Sequence, residues 1–236
     1  MPTSLVSKRA FLEGPRWHDG VLYVSDMHGD VVLSVTEGGD VSNVVDVEQP
    51  SGLGWLPDGS LLISSMTRRA VMRYDGSGLT LHADLSSLAS YEINDMCVDR
   101  HGHAFVGQFG YDMRGGAAPA AAPLLRVDPD GSAHEVADGL RMANGMVITA
   151  DHSTLLVAES WGKCITAFDL ASDGSLSNQV EGGQVERTVD TPGRHAIACA
   201  VGGADGGSLF MITATTHGER VESQTAMTAA VETAVI

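Results

Sequence analysis

Glu13, Asn94, Asp95 and Asn144 are the residues of this 236-residue chain best suited to chemistry. Each stands at the start of an apolar, strand-like run, in LEGPRW, INDMCV and ANGMVI. A carboxylate or an amide costs several kcal/mol to bury without a partner, and a bound ligand would satisfy it. Carboxylate and amide-carbonyl oxygens suit hard divalent cations such as Ca²⁺, Mg²⁺ or Mn²⁺. The other reading is that the two asparagines cap turns through side chain to backbone bonds. The chain has no nucleophile elbow, no phosphate-cradling loop and no HExxH helix, so nucleophilic, nucleotide and zinc-protease chemistries lack their motifs.

The elements that must position these residues repeat. GPRWHDGVLYVSDMHGDVVLSVTEGGDVSNVV reads as four strands separated by Asp-Gly and Gly-Asp turns. SGLGWLPDGSLLISSMTRRAVMRYDGSGLTLHADL repeats it, as do INDMCVDRHGHAFVGQFG with LLRVDPDGSAHEVADG, and NGMVITADHSTLLVAESWGKCITAFDLASDGSLSNQV. Aligning the unit starts makes Gly14, Gly52, Asn94 and Asn144 equivalent, about 40 to 50 residues apart, the period of propeller blades. In such a fold the innermost strands surround a central channel, so polar residues at the starts of successive units converge on one axial site. After the fourth unit the pattern becomes irregular, at about 180–195, and a full unit does not fit before GGADGGSLFMITATT resumes it. The last segment, AAVETAVI, is expected to pair with SKRAFLEG at the N-terminus, leaving no open sheet edge. No long 3.6-residue periodicity supports α/β folds, though a short helical turn is possible near DLSSLASYE. Residues 115–123, GGAAPAAAP, read as a surface insertion or, alternatively, a substrate lid.

The expectation is one all-β domain over residues 1–236. The net charge of −16 repels phosphate backbones and anionic lipid, which argues against nucleic acid and membrane partners and suits a cation or a neutral small molecule. Cys97, Cys164 and Cys199, odd in number and widely spaced, read as buried thiols. With no secretory or membrane-spanning apolar run, the cytoplasm is the expected compartment.

The runs EGPRW from Glu13, INDMCVDRHGHAFVGQFG from Ile93, ANGMVITADHSTLLVAES from Ala143 and TAFDLASDGSLSN resemble the family containing gluconolactonase, senescence marker protein and luciferin-regenerating enzyme. The resemblance covers about residues 8–215. It implies a six-bladed β-propeller with one divalent metal (Ca, Mg, Mn or Zn) in the channel and a sugar lactone as substrate. It also implies that Glu13 and Asn144 are metal ligands and Asn94 a substrate contact, with Asp95 structural. The chemistry implied is lactone hydrolysis, the metal polarising the carbonyl and acidifying a water while an adjacent carboxylate moves the proton.

The family's third ligand, an aspartate in a Pro-Asp-Gly segment opening the fifth blade, has no counterpart between Gly183 and Thr191, so the catalytic carboxylate is unassigned. Asp58 and Asp130 lie in Pro-Asp-Gly runs but belong to mid-blade turns. The resemblance breaks off at SNQVEGG and resumes at GQVERTVDTPGRHAIACAVGG as though about 40 residues, the length of one blade, had been removed, which predicts five blades or a partly open ring. Two functions follow as expectations. One is a lactonase in which Glu92, Asp95 or Glu159 replaces the aspartate. The other is a non-catalytic propeller scaffold that binds a small molecule or a protein. His195 reads as a core histidine or a channel residue, and Glu159 and Trp161 as solvated strand-end residues. His18, His28, His101, His103, His152 and His217 read as turn residues, and Met27, Met66, Met96, Met142 and Met146 as core fillers.

Overall fold

The computed structural model describes residues 3–182, 189–204, 206–215 and 220–235. The chain opens with β1 (Thr3–Arg9) and then lays down four-stranded sheets in sequence. The first is β2 (Leu12–His18), β3 (Val21–Asp26), β4 (Val31–Val35) and β5 (Val41–Asp46). The second is β6 (Pro50–Trp55), β7 (Leu61–Ser65), β8 (Ala70–Tyr74) and β9 (Leu79–Asp84). The third is β10 (Ile93–Val98), β11 (Ala104–Gln108), β12 (Ala122–Val127) and β13 (Ala133–Leu140), and the fourth β14 (Ala143–Ile148), β15 (Thr154–Glu159), β16 (Cys164–Leu170) and β17 (Leu176–Gly182).

The last sheet combines both ends of the chain. β18 (His195–Gly202) and β19 (Ser208–Ala214) are followed by a short helix, α1 (Arg220–Ala226), and by β20 (Ala229–Val235), in the order β1-β20-β19-β18. The expected pairing of the two termini is therefore present, with Thr3 opposite Thr233 and Val6 opposite Val231. Five blades stand where the family resemblance implied six, as the shortened sequence predicts. Of the irregular stretch, Val180–Gly182 complete β17, residues 183–188 lie outside the described residues, and the final blade begins at His195.

Turn chemistry explains the meander. His18 pairs with Val21 across Asp19-Gly20, whose φ values of 48° and 79° make a two-residue hairpin whose twist matches its strands. Asp58 and Asp130 each accept a backbone N–H two residues on, from Ser60 and Ser132, which makes them turn residues as expected. The helical turn near DLSSLASYE is a single turn, closed by Ala89 N–H to Leu85 O. The helix that does form, α1, carries a weak sequence signal; Gln224 donates to the carbonyl of His28 and Arg220 pairs with Asp30. Cys97 is buried as expected, but Cys164 is half-buried and Cys199 exposed, which corrects the reading of three buried thiols. Residue 217 lies outside the described residues.

By contact the chain divides into two compact units, Met1–Ser51 with Arg187–Ile236, and Gly52–Glu186. The first has its own core of Leu12, Leu22, Val24, Leu33, Phe210, Ile212 and Val231, with the Trp17 and Phe210 rings stacked at 5.1 Å. The second has two cores. One contains Leu62, Val71, Met96, Ala104 and Val106, and the other Phe105, Leu124, Met146, Leu155, Val157 and Phe168.

Within the second unit, neighbouring blades meet backbone to backbone. Ser64 Oγ accepts the N–H of Gly52 at 2.7 Å and donates to the carbonyl of Asn94 at 2.8 Å. A Cβ on Gly52 would lie 2.0 Å from the Met96 nitrogen, and one on Gly107 2.3 Å from the Ala143 carbonyl oxygen. These positions must be small because the next inner strand runs against them.

Ser64→Ala strands a buried N–H and leaves a buried carbonyl short of a donor, and is expected to lower unfolding free energy by about 1–3 kcal/mol. Gly52→Ala forces backbone apart and is expected to cost at least as much. Urea unfolding of both variants checks this, and wild-type stability in either would refute the close-packed interface.

Candidate functional site

Glu13, Asn94 and Asn144 occupy one and the same place in their blades. Leu12 pairs with Asp26, Ile93 with Gln108 and Ala143 with Glu159, and the site residue is the next along the inner strand. From Glu13 to Arg16 the chain advances three residues while its partner advances two, from Ser25 to Tyr23. Ile93 to Met96 opposite Gln108 to Val106, and Ala143 to Met146 opposite Glu159 to Val157, do the same. Each site residue thus stands at a one-residue β-bulge, a device that re-aims a side chain and marks sheet rims. Gly14, with φ of 53°, sits inside the first of these bulges.

The register corrects the sequence alignment by one residue. Glu13, rather than Gly14, matches Asn94 and Asn144. In the second blade Ser51, rather than Gly52, takes the place. Ser25 Oγ donates to the Ser51 carbonyl at 2.8 Å as Ser64 Oγ does to that of Asn94. In the final blade Ala196 pairs with Thr213 and Ala198 with Ile212, which puts Ile197 at the bulge.

The polar atoms at these places are oriented by the backbone. Asn94 is buried, and its amide N–H donates to the carbonyl of Ala143 at 3.1 Å, which leaves the amide oxygen as the end for accepting or coordinating. Asn144 is half-buried, its amide N–H on Ser160 Oγ at 3.3 Å. Glu13 is 8 % exposed, with Oε2 3.4 Å from the Gly14 nitrogen. Ser51 Oγ is fully buried and, among the described residues, has no hydrogen-bond partner. Asp95 is buried and accepts the N–H of Met96 at 2.8 Å, consistent with a structural role.

The second position of interest is the end of each second strand, where the sequence singled out only Glu159. Asp26 accepts the N–H of Phe11 at 3.0 Å and that of Ala10 at 3.5 Å. Glu159, 4 % exposed, accepts the N–H of Arg141 at 2.7 Å and the hydroxyl of Thr166. Glu159 is thus buried, which corrects its reading as a solvated strand-end residue; Trp161 is 48 % exposed. Gln108 donates to Pro123 O at 2.9 Å, and Thr213 Oγ1 accepts from Arg194 Nε at 2.7 Å. Asp26, Glu159 and Thr213 hold chain that leads into the inner strand, whereas Gln108 holds the third strand of its own blade. The signal for them was their recurrence, in VSD, VGQ, VAE and MIT, at one offset in the repeat.

Of the residues named as substitutes for the missing aspartate, Glu159 is thus engaged and Glu92 pairs with Arg114 Nε at 2.7 Å. His195 is exposed at the head of β18 and so is not a core residue. Among the described residues no three His, Cys, Asp or Glu gather in a way that could hold a metal ion. Taken one by one, Glu13 offers a carboxylate and Asn94 and Asn144 amide oxygens, donor types that suit a hard cation. Ser51 carries a hydroxyl at the matching place in the second blade, without a hydrogen-bond partner among the described residues.

An all-β fold of four-stranded blades, with its polar residues on inner-strand bulges, is that of a β-propeller of the gluconolactonase type. The family model described as SMP-30/Gluconolactonase/LRE-like region matches residues 11–181, and the chain belongs to this family. The match stops at the end of the fourth blade. A gluconolactonase from Xanthomonas campestris is similar at 22 % identity, with a TM-score of 0.72 over 99 % of this chain and 89 % of that one. A luciferin-regenerating enzyme is similar at 15 % identity and TM-score 0.79, over 99 % and 95 %. A calcium-binding protein, regucalcin, from Agrobacterium tumefaciens is similar at 15 % identity and TM-score 0.71, over 99 % and 94 %. At these identities the likenesses establish the fold. No curated protein matches the sequence. Among the described residues no helix is long and apolar enough to cross a membrane.

Burial pushes the Asp26 carboxyl above its ordinary 3.8, against the pull of the Phe11 and Ala10 amides. A raised folded value means that the folded state holds the proton more tightly than the unfolded chain. The stabilisation from Asp26 is then present below about pH 4 and lost as pH rises through the folded value. Asp26→Asn is expected to remove this loss, so that the variant gains on wild type between about pH 4 and pH 7. Urea midpoints across that range are the check, and parallel curves would refute it.

Proposed function

We propose that the chain is a hydrolase that opens the ring of a sugar lactone with the help of one divalent cation. Glu13 and Asn144 would hold the cation (Ca, Mg, Mn or Zn), and Asn94 would position the substrate. The observation that carries this reading is the shared register of the three residues on bulged inner strands, each with its side chain aimed by a backbone irregularity. A bound cation would supply polarisation of the lactone carbonyl and a lowered pKa for water.

The chain's own residues orient and hold. Asn94 offers its amide oxygen to a sugar hydroxyl, because its amide nitrogen is turned to the Ala143 carbonyl. Asn144 is fixed in the same way by Ser160. Glu13 is the one carboxylate at the shared position and the group on hand to take a proton from the attacking water. A neutral lactone approaches a chain of net charge −16 without repulsion, whereas the ring-opened product is an anion and is driven off.

A second reading is favoured by Ile197, an apolar residue at the bulge of the blade that follows the fourth. With one carboxylate at these positions the cation would be held weakly, and the propeller would serve as a scaffold that binds a small molecule or a protein without turnover.

The test is hydrolysis of gluconolactone and xylonolactone by pH-stat after chelator treatment and refilling with each of the four cations. Glu13→Gln serves as the control, and thermal shift on adding the cation alone is a second readout. Turnover restored by a cation, and reduced at least about a hundredfold in Glu13→Gln, is the expected result. A cation that shifts the melting temperature without supporting turnover would favour the scaffold, and neither effect would refute the site.

A further inference from the structure

Asn144 is carried to its bulge by a strained stretch of backbone. Met142, two residues before it, has φ of 58°, in the left-handed region that a long side chain rarely occupies. Such a conformation persists only where its surroundings over-determine it, and it concentrates at functional sites. In the third blade the residue at the same place, Glu92, has no such φ. The groups that hold Met142 come from the end of β15, in the same compact unit. The Glu159 carboxylate accepts the Arg141 N–H at 2.7 Å. The carbonyls on either side of the Met142 Cα are engaged as well, that of Arg141 by the Trp161 N–H at 3.3 Å and that of Met142 by the Ser160 N–H at 3.0 Å.

Glu159 is the centre of this clamp. Its second oxygen accepts the hydroxyl of Thr166, fully buried on β16, so the carboxylate ties the incoming chain to the third strand of the blade. The turn that follows is built around it. The Lys163 N–H returns to the Glu159 carbonyl at 2.8 Å, and a Cβ on Gly162 would lie 2.8 Å from the Glu159 Cβ and 2.9 Å from Oε2. Ser160, next in the chain, accepts the Asn144 amide N–H at 3.3 Å. Glu159 and Ser160 together thus fix the backbone that leads to Asn144 and the direction of its amide. Gln108, at the place of Glu159 in the third blade, holds Pro123 instead, so within this unit the clamp serves Asn144 and not Asn94.

We propose that Glu159 is a positioning residue for Asn144: its carboxylate keeps Met142 in the left-handed conformation and thereby sets where the Asn144 amide oxygen lies. The cation that this oxygen would help to hold rests on the function proposed above; the positioning does not. Hydrogen bonds to a carboxylate are among the strong ones, and groups that orient a ligand in this way govern metal affinity without touching the metal. Glu159→Gln keeps an oxygen for the Arg141 N–H and turns an NH₂ to the Thr166 hydroxyl oxygen, whereas Glu159→Ala leaves both without that partner. Met142→Gly removes the strain itself, since glycine takes a positive φ at no steric cost.

The Asn144 side-chain amide, followed by heteronuclear NMR in the full chain without added metal, tests the positioning directly. Glu159→Ala is expected to displace its resonance and to speed its hydrogen exchange about tenfold or more, and Met142→Gly added to that variant to restore most of both. Glu159→Gln is expected to stay close to wild type. Leu155→Ala, a cavity in the core of the same blade, is expected to lower the unfolding midpoint with the amide in place. Calorimetric titration with Ca²⁺ alone is the second readout, with affinity about ten- to a hundredfold weaker in Glu159→Ala. If Glu159→Ala does not fold, Thr166→Val, which takes away the carboxylate's anchor, replaces it in both measurements. A displaced amide in a chain whose wild type binds no Ca²⁺, or binds it equally in every variant, upholds the positioning and refutes Asn144 as a cation ligand. An amide unmoved in Glu159→Ala or its replacement, or moved equally by Leu155→Ala, overturns the proposal.

Discussion

Contact between backbones of adjacent blades is the constraint on which the rest of this structure depends. An inner strand that runs directly against its neighbour's second strand leaves room for glycine, alanine or serine and nothing larger. Ser64 shows what that closeness requires. One hydroxyl satisfies a donor from its own blade and an acceptor from the next, groups that would otherwise be buried unpaired. Gly107 solves the same problem by having no side chain, and there the amide of Asn94 supplies the bond to the Ala143 carbonyl. Asn94 therefore serves the interface with its nitrogen, and its oxygen is aimed as a consequence.

This coupling explains why the candidate site is polar at the place where packing is tightest. A bulge at the head of an inner strand breaks the ladder for one residue and turns one side chain out of the pleat. The broken ladder needs a substitute, and the carboxylates of Asp26 and Glu159 provide it by accepting N–H groups from the incoming chain. Bulge and brace belong together, so the residues that would bind and those that merely hold are drawn from one repeat. Their difference lies in exposure and partners. Glu159 has its oxygens committed to Arg141 and Thr166, which removes it from the candidates for a missing base.

Much of this was legible in the residues, for identifiable reasons. Asp-Gly and Pro-Asp-Gly turns recur with apolar runs of strand length, so four blades and the pairing of the two termini could be read directly, whereas five blades was one of two expectations, beside a partly open ring. Glu13, Asn94 and Asn144 stood out because polar groups before apolar strands are costly. What was not legible was register. Motif alignment matched Gly14 to Asn94, whereas strand pairing matches Glu13, and a one-residue slip changes which side chain faces which way. Burial of Glu159 was hidden for a related reason, since a carboxylate at a strand end looks solvated until the chain that folds over it is known.

Exposure, like register, is not written in a strand's own residues. Every blade with two neighbours can afford apolar residues on both faces, and the alternating pattern of a two-sided strand says nothing about whether the second neighbour exists. Val147, Leu156 and Val180 are residues suited to a covered face, and the chain retains them where its own fourth blade leaves them exposed.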